Sequence, residues 1–178
     1  MTQYFLDIPR DGKPVILGGF SAGSILAARI AEHHLESVDG MFVISGVLGA
    51  KEFFKNLNPG YGGLPGWESV KLFFHDCVAR RSQDGYVKIQ GDPEVLYQSF
   101  RSLVEGWLNI EEVFDLLTGP KAIIHSEKDI IVPFEYVRRF FPETVPVLLF
   151  EMDHEMNRLD SPGNCQGDIA DKLSDVFS

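Results

Sequence analysis

Three side chains in this sequence have the types and surroundings for nucleophilic acyl chemistry: Ser21, Asp129 and His154. Ser21 lies in the run Val15-Ile16-Leu17-Gly18-Gly19-Phe20-Ser21-Ala22-Gly23-Ser24-Ile25-Leu26-Ala27-Ala28. There a short apolar strand pattern breaks into Gly-x-Ser-x-Gly and continues as a small-residue helix. The pattern reads as a nucleophile elbow, a strained strand-to-helix turn that lifts the serine hydroxyl over the end of a sheet. Both flanking glycines, Gly19 and Gly23, are expected where a Cβ would clash as the helix passes the strand. The Ala22 amide, at the helix N-terminus, is placed to donate to a developing oxyanion. A Gly-rich turn without chemistry is the alternative reading of the same residues.

A serine becomes a nucleophile at neutral pH only beside a base, and that base needs a carboxylate to fix its tautomer. Asp129 lies just past an apolar strand pattern in His125-Ser126-Glu127-Lys128-Asp129-Ile130-Ile131-Val132-Pro133, and His154 just past another in Glu151-Met152-Asp153-His154-Glu155. Both therefore fall at strand C-terminal ends, where open parallel sheets place their sites. A loop carboxylate capping the next helix is the plainer reading of Asp129. His33, His34, His75 and His125 suit surface or packing roles.

The elements that must position these residues follow from hydrophobic periodicity. Ser24 to about Ser37 reads as a helix with Ile25, Leu26, Ala28, Ile30 and Ala31 on its apolar side and Arg29, Glu32, His33 and His34 on its wet one. Met41 to Gly46 is a nearly continuous apolar run, as in a parallel strand buried on both faces. Strand, helix and strand in succession make a parallel crossover. The chain changes character from about Val47 to Thr118, with a Gly- and Pro-rich loop from Pro59 to Gly66 and helical patches after it. Asp92-Pro93-Glu94 reads as a helix start leading into Val95, Leu96, Phe100, Leu103, Val104 and Trp107, and Ile110 to Leu117 as another helix. Ala122 to His125 resumes the sheet, Phe134 to Phe141 is a helix stopped by Pro142, Val145 to Phe150 is the last strand, and a helical tail runs from Asp168 to Phe177. This order describes an α/β fold with a mostly parallel sheet flanked by helices. Residues 1–47 and 119–178 form its core, and 48–118 a helical lid or cap insertion.

Bulk properties narrow the function. The chain has 178 residues, 44% hydrophobic and 24% charged, enough for one globular domain with a core of its own. A net charge of -10 argues against a nucleic-acid partner, which would require clustered Lys and Arg. Cys77 and Cys165 have neither metal-type spacing nor a disulfide pattern and are expected as free thiols. There is no basic segment followed by an apolar run at the start, and no stretch of about 18 apolar residues, so a cytoplasmic location without a membrane span is expected.

With these residues in place the chain resembles the C-terminal two thirds or so of an α/β-hydrolase, in the chain order Ser, Asp, His of that superfamily. The acid loop of the family commonly reads Gly-x-x-Asp-x-x-Val-Pro, which Ser126 to Pro133 matches with Ser126 in place of glycine. Asp153 stands where the family usually has glycine before the histidine. The resemblance implies Ser21 as nucleophile, Asp129 as acid, His154 as base and the Ala22 amide as one oxyanion donor. In the family, several strands and a loop supplying a second oxyanion donor precede the elbow, whereas Met1 to Pro14 precede it here. Three explanations of this difference stay open: a start upstream of Met1, a remnant that pairs with another chain, or an N-terminal segment that forms a minimal edge. An unpaired apolar edge at Val15 to Leu17 would invite association, with a homo-oligomer through that edge as one outcome.

The expected function is that of a serine hydrolase cleaving a carboxylic ester or related acyl bond of a small molecule through an acyl-enzyme. No metal or organic cofactor is required. Phe53, Phe54, Tyr61, Leu64, Trp67 and Trp107 would give the lid an apolar lining, and Phe20, Tyr61, Trp67 and Trp107 are the candidate substrate contacts. A peptidase or thioesterase fits the same residues, since the triad does not encode the leaving group. The alternative from another class is a non-catalytic remnant or binding subunit completed by a partner chain.

Overall fold

The computed structural model describes residues 12–57, 60–81, 91–106 and 108–178, with the side chains at 61 and 77–81 outside that description. Trp107, Pro59 and the side chains of Tyr61 and Cys77 therefore lie outside the described residues. Four strands, β1 (Ile16–Phe20), β2 (Gly40–Ile44), β3 (Lys121–His125) and β4 (Val147–Leu149), form one sheet in the order β1-β2-β3-β4. Every pairing is parallel. Seven α-helices accompany the strands among the described residues: α1 (Gly23–His33), α2 (Ala50–Asn56), α3 (Gly66–Arg81), α4 (Pro93–Glu105), α5 (Ile110–Leu116), α6 (Phe134–Val137) and α7 (Gln166–Phe177). None is long and apolar enough to cross a membrane.

Two compact units divide the chain, Met1–Gly49 with Leu108–Ser178, and Ala50–Trp107. In the first, α5 packs on α1 and buries Ile110, Val113 and Phe114 completely or nearly so. Each such side chain contributes about 1.5–3 kcal/mol by leaving water. The α7 helix turns Ile169, Leu173, Val176 and Phe177 toward the sheet, where they join Ala122, Ile124, Met152 and Cys165. These are the residues that the tail's periodicity put on one face. Cys165 is a free, buried thiol whose pKa burial raises.

The second unit is built on aromatic packing. Phe54 lies against Phe53, Trp67 and Phe100, with the Trp67 ring stacked on it at 5.4 Å. As expected, α4 begins at Pro93 with Asp92 as its cap, the carboxylate accepting from the Glu94 N–H at 2.8 Å. Val95, assigned to the apolar stripe, is 61% exposed instead.

Other boundaries differ from the periodic pattern for local reasons. The helix expected to reach Ser37 ends at His33, where the His34 N–H bonds back to Ala31, and a 3-10 turn, Leu35–Ser37, follows. Arg29, assigned to the wet face, is buried in an ion pair with Glu32. After α6 the chain tightens into a 3-10 turn at Arg138–Phe140. The last strand is shorter than Val145 to Phe150 because Val145 donates to Pro142 in a turn before β4 begins.

Candidate active site

Ser21 follows β1 directly and its N–H still donates to Ile44 of β2 at 2.9 Å, so the strand ladder carries it to the sheet end. Its φ of 50° is in the left-handed region, which costs a non-glycine residue energy unless surrounding structure imposes it. Gly19 shows what imposes it: a Cβ there would sit 2.4 Å from Ser24 Cα, inside the first turn of α1. Gly23 does not share this reason, since no described atom lies within 4 Å of where its Cβ would be. The steric expectation is therefore right for the first glycine of the motif and wrong for the second. Ser24, fully buried, adds a clasp: its hydroxyl donates to the Ser21 carbonyl and accepts from the Val47 N–H at 3.4 Å. Among the described residues no acceptor takes the N–H of Ala22, an exposed residue that follows Ser21 and precedes α1.

Asp129 is held by its own loop. Its Oδ1 accepts from the N–H groups of Ile131 at 2.9 Å and Val132 at 2.8 Å, and its Oδ2 faces His154 Nδ1 at 2.9 Å. The carboxylate has no solvent exposure. Burial pushes its pKa up, but the bonds from His154, Val132 and Ile131 outweigh burial and leave it below the usual carboxylate range. Ser126 stands without strain where the resembling acid loops commonly have glycine, since its φ is not positive; its hydroxyl accepts from Lys128 N–H at 3.0 Å.

His154 hangs on the loop after β4. Asp153 shapes that loop, its carboxylate accepting from the backbone N–H of Glu155 and Asn157 and from the Asn157 amide, each at 2.9 Å. Those bonds hold its pKa down, the Asn157 amide contributing most. The Nε2 of His154 lies 2.9 Å from Ser21 Oγ, and its side chain is 13% exposed. An ionised Asp129 can only accept, so Nδ1 carries the proton and Nε2 is left bare to accept from the serine hydroxyl. Residues 108 and 133 positions apart from Ser21 in sequence thus meet it in one chain of hydrogen bonds. A hydroxyl activated in this way can attack an electrophilic carbonyl.

Of the candidate substrate contacts, Phe20 stands beside this chain, its ring centroid 5.3 Å from that of His154 and its side chain partly exposed. Trp67 belongs to the aromatic cluster of the second unit, with the Arg101 guanidinium over its face at 5.4 Å. Cavities of about 360 Å³ and 400 Å³ lie within that unit, the first lined by Lys51, Lys55, Trp67, Arg101 and Glu105 and the second along α4; neither is lined by Ser21, Asp129 or His154.

Sequence reasoning passed over Ser24 and His125. Ser24 looked like one more small residue of the helix start. By sequence His125 suits a surface or packing role, yet its Nε2 lies 2.9 Å from the Val132 carbonyl at the far end of the acid loop. A polar ring closing an otherwise apolar strand pattern, just before a candidate acid loop, was the available signal.

No family model and no curated protein matches this chain in sequence. Solved structures do match. A monoacylglycerol lipase from Paleococcus ferrophilus aligns with a TM-score of 0.57 at 19% identity, over 98% of this chain and 72% of that one. For an esterase from Pyrococcus furiosus the values are 0.54 and 17%, over 99% and 59%. An α/β-hydrolase from the metagenome of Mar Chica lagoon sediments gives 0.52 and 15%, over 98% and 68%. At these identities the likeness is one of fold.

Proposed function

We propose, from the α/β-hydrolase fold that this chain has, that it is a serine hydrolase acting on a carboxylic ester or related acyl bond of a small molecule. The observation that carries this reading is the unbroken chain from Ser21 Oγ through His154 to Asp129, with both contacts at 2.9 Å and the serine at positive φ. In this reading Ser21 Oγ attacks the carbonyl carbon while its proton passes to His154 Nε2. The Ala22 N–H donates to the oxyanion, and the proton returns to the departing alcohol as the acyl-enzyme forms. Water, deprotonated by the same nitrogen, then releases the acid. Asp129 stabilises the imidazolium formed in each half-reaction. Phe20, beside His154, is the substrate contact that geometry supports best.

The lid expected at 48–118 is in this proposal supplied by the unit Ala50–Trp107, on its place in the chain between β2 and β3 and on its aromatic content, residues 108–118 belonging to the other unit, with Tyr61, Trp67 and Trp107 proposed as its contacts to substrate. A fluorophosphonate probe, which reports an activated serine without requiring the right substrate, tests the reading. Labelling of the parent that disappears in both Ser21→Ala and His154→Ala is expected. A folded parent that resists the probe would sink it and leave the binding-subunit alternative. A panel of acyl esters, thioesters and aminoacyl amides then separates an esterase, the expected result, from a thioesterase or peptidase.

A further inference from the structure

We propose that His125 is a positioning residue for the acid, its ring tying the loop that carries Asp129 to the sheet and thereby setting how the carboxylate meets His154. The proposal rests on the reading of Asp129 as the acid of the triad. The bonds that Asp129 accepts from Ile131 and Val132 shape its loop from within but do not attach it to anything outside. Attachment comes at Val132, whose N–H donates to Asp129 Oδ1 at 2.8 Å while its carbonyl accepts from His125 Nε2 at 2.9 Å. His125 is itself fixed, as the last residue of β3, and its carbonyl accepts from the Phe150 N–H at 3.0 Å, at the root of the loop bearing His154. One residue of the sheet thus holds the acid loop by its ring and the base loop by its backbone.

The chemistry of the ring agrees with this role. A carbonyl can only accept, so Nε2 carries the proton and Nδ1 is bare. Nδ1 is buried with no hydrogen-bond partner among the described residues, and the ring packs 6.0 Å from that of Phe134. A space-filling role alone would be met by an apolar side chain, which would also spare the cost of burying an unpaired nitrogen. Burial, the largest influence, lowers the His125 pKa, with the His154 charge in the same direction and against the opposing pull of Val132 and Asp129, which favours the neutral ring. Support of this kind behind a catalytic group is worth activity because misplacement by about 1 Å costs up to about a hundredfold.

The test compares the parent with His125→Phe, His125→Gln and His125→Asn. Phenylalanine keeps the ring volume without the donor, glutamine puts an amide N–H near the position of Nε2, and asparagine falls short of Val132. Ring ¹⁵N shifts report the tautomer of His154 without any need for catalysis, and the rate of fluorophosphonate labelling reports Ser21. In the parent and His125→Gln, His154 is expected to hold its proton on Nδ1. In His125→Phe and His125→Asn that preference is expected to weaken and labelling to slow between about tenfold and a hundredfold. Equal His154 tautomers and labelling rates across the folded variants would overturn the proposal, as would a parent in which Nδ1 of His154 carries no proton. If His125→Phe fails to fold, the contrast between glutamine and asparagine decides alone. Labelling insensitive to Ser21→Ala would defeat the triad reading, while the tautomer comparison still decides the role of His125.

Discussion

Ser21 is fixed within a few residues of chain, by a positive φ and a glycine that lets α1 press against β1, whereas Asp129 is fixed by donors gathered from its loop and from His154. The elbow is a steric device and the acid loop a hydrogen-bonding one. It follows that the elbow is broken by adding atoms and the acid loop by removing or reversing a polar one. Each can be tested without touching the other.

The largest effect is expected from Asp129→Asn, which keeps the volume and reverses one polarity. The Asn oxygen retains the bonds from Ile131 and Val132, so the amide group faces His154 Nδ1 and forces the ring proton to Nε2. That tautomer cannot accept from Ser21. Labelling by fluorophosphonate is expected to slow about 10⁴-fold, the loss known for amidation of the acid in a serine protease triad, while the folded state persists. A loss below tenfold would mean that the acid is not coupled to the serine.

Gly19→Ala against Gly23→Ala applies the steric half of the comparison. The first places a Cβ 2.4 Å from backbone that has no flexible end to move aside, for which about 1–3 kcal/mol of destabilisation is expected, with a lower Tm. The second adds a methyl into open space at ordinary φ, and is expected to stabilise by about 0.4–1 kcal/mol through the unfolded chain. Equal Tm changes would remove the distinction between the two glycines.

The same contrast explains what was legible in the sequence. An elbow is encoded by contiguous residues, so Gly19, Ser21 and the strand and helix around them could be read directly, as could α4 from Asp92-Pro93 and α7 from its periodic face. Asp129 and His154 stand out as candidates in the sequence because each follows a strand whose apolar run marks its end. What could not be read is held by contacts between distant segments. Whether Arg29 faces water depends on what packs on α1, and the bond of His125 to Val132 spans a loop whose path no periodicity describes. The motif reads as one physical requirement on both glycines, whereas Gly19 meets a close neighbour and Gly23 does not. Asp153 stands where α/β-hydrolases usually have glycine, and its carboxylate organises the histidine loop through three donors.

Ser24→Ala probes a side chain that joins the elbow to the chain after β2. The Ser21 carbonyl keeps a bond from the Ser24 N–H at 3.0 Å, but the Val47 N–H loses its acceptor in a buried place. Chemical denaturation is expected to show a loss of about 1–2 kcal/mol, with Ser21 labelling slowed less than in Asp129→Asn. A loss as large as that of Gly19→Ala, with labelling abolished, would mean that the elbow depends on this hydroxyl as much as on close packing.

The smallest effect, and the most specific, is in the pH dependence of stability. Below about pH 6.5 an unfolded histidine takes up a proton. Native His125, with its pKa lowered chiefly by burial, stays neutral at that pH. The unfolded state then binds more protons than the native one, so stability falls as pH drops from about 6.5 toward the native pKa. Asp129, also lowered, contributes in the same direction only below the ordinary carboxylate range, near pH 4. Between pH 7 and pH 5.5 the slope in the parent therefore contains a His125 contribution of at most about 1.4 kcal/mol per pH unit. His125→Gln removes that contribution while keeping a donor for Val132. Denaturation of the pair across this range is expected to show the flatter slope in the variant, every other titrating group being common to both. Parallel slopes would mean that His125 charges as readily in the folded protein as in the unfolded chain, and that the acid loop yields to admit its second proton.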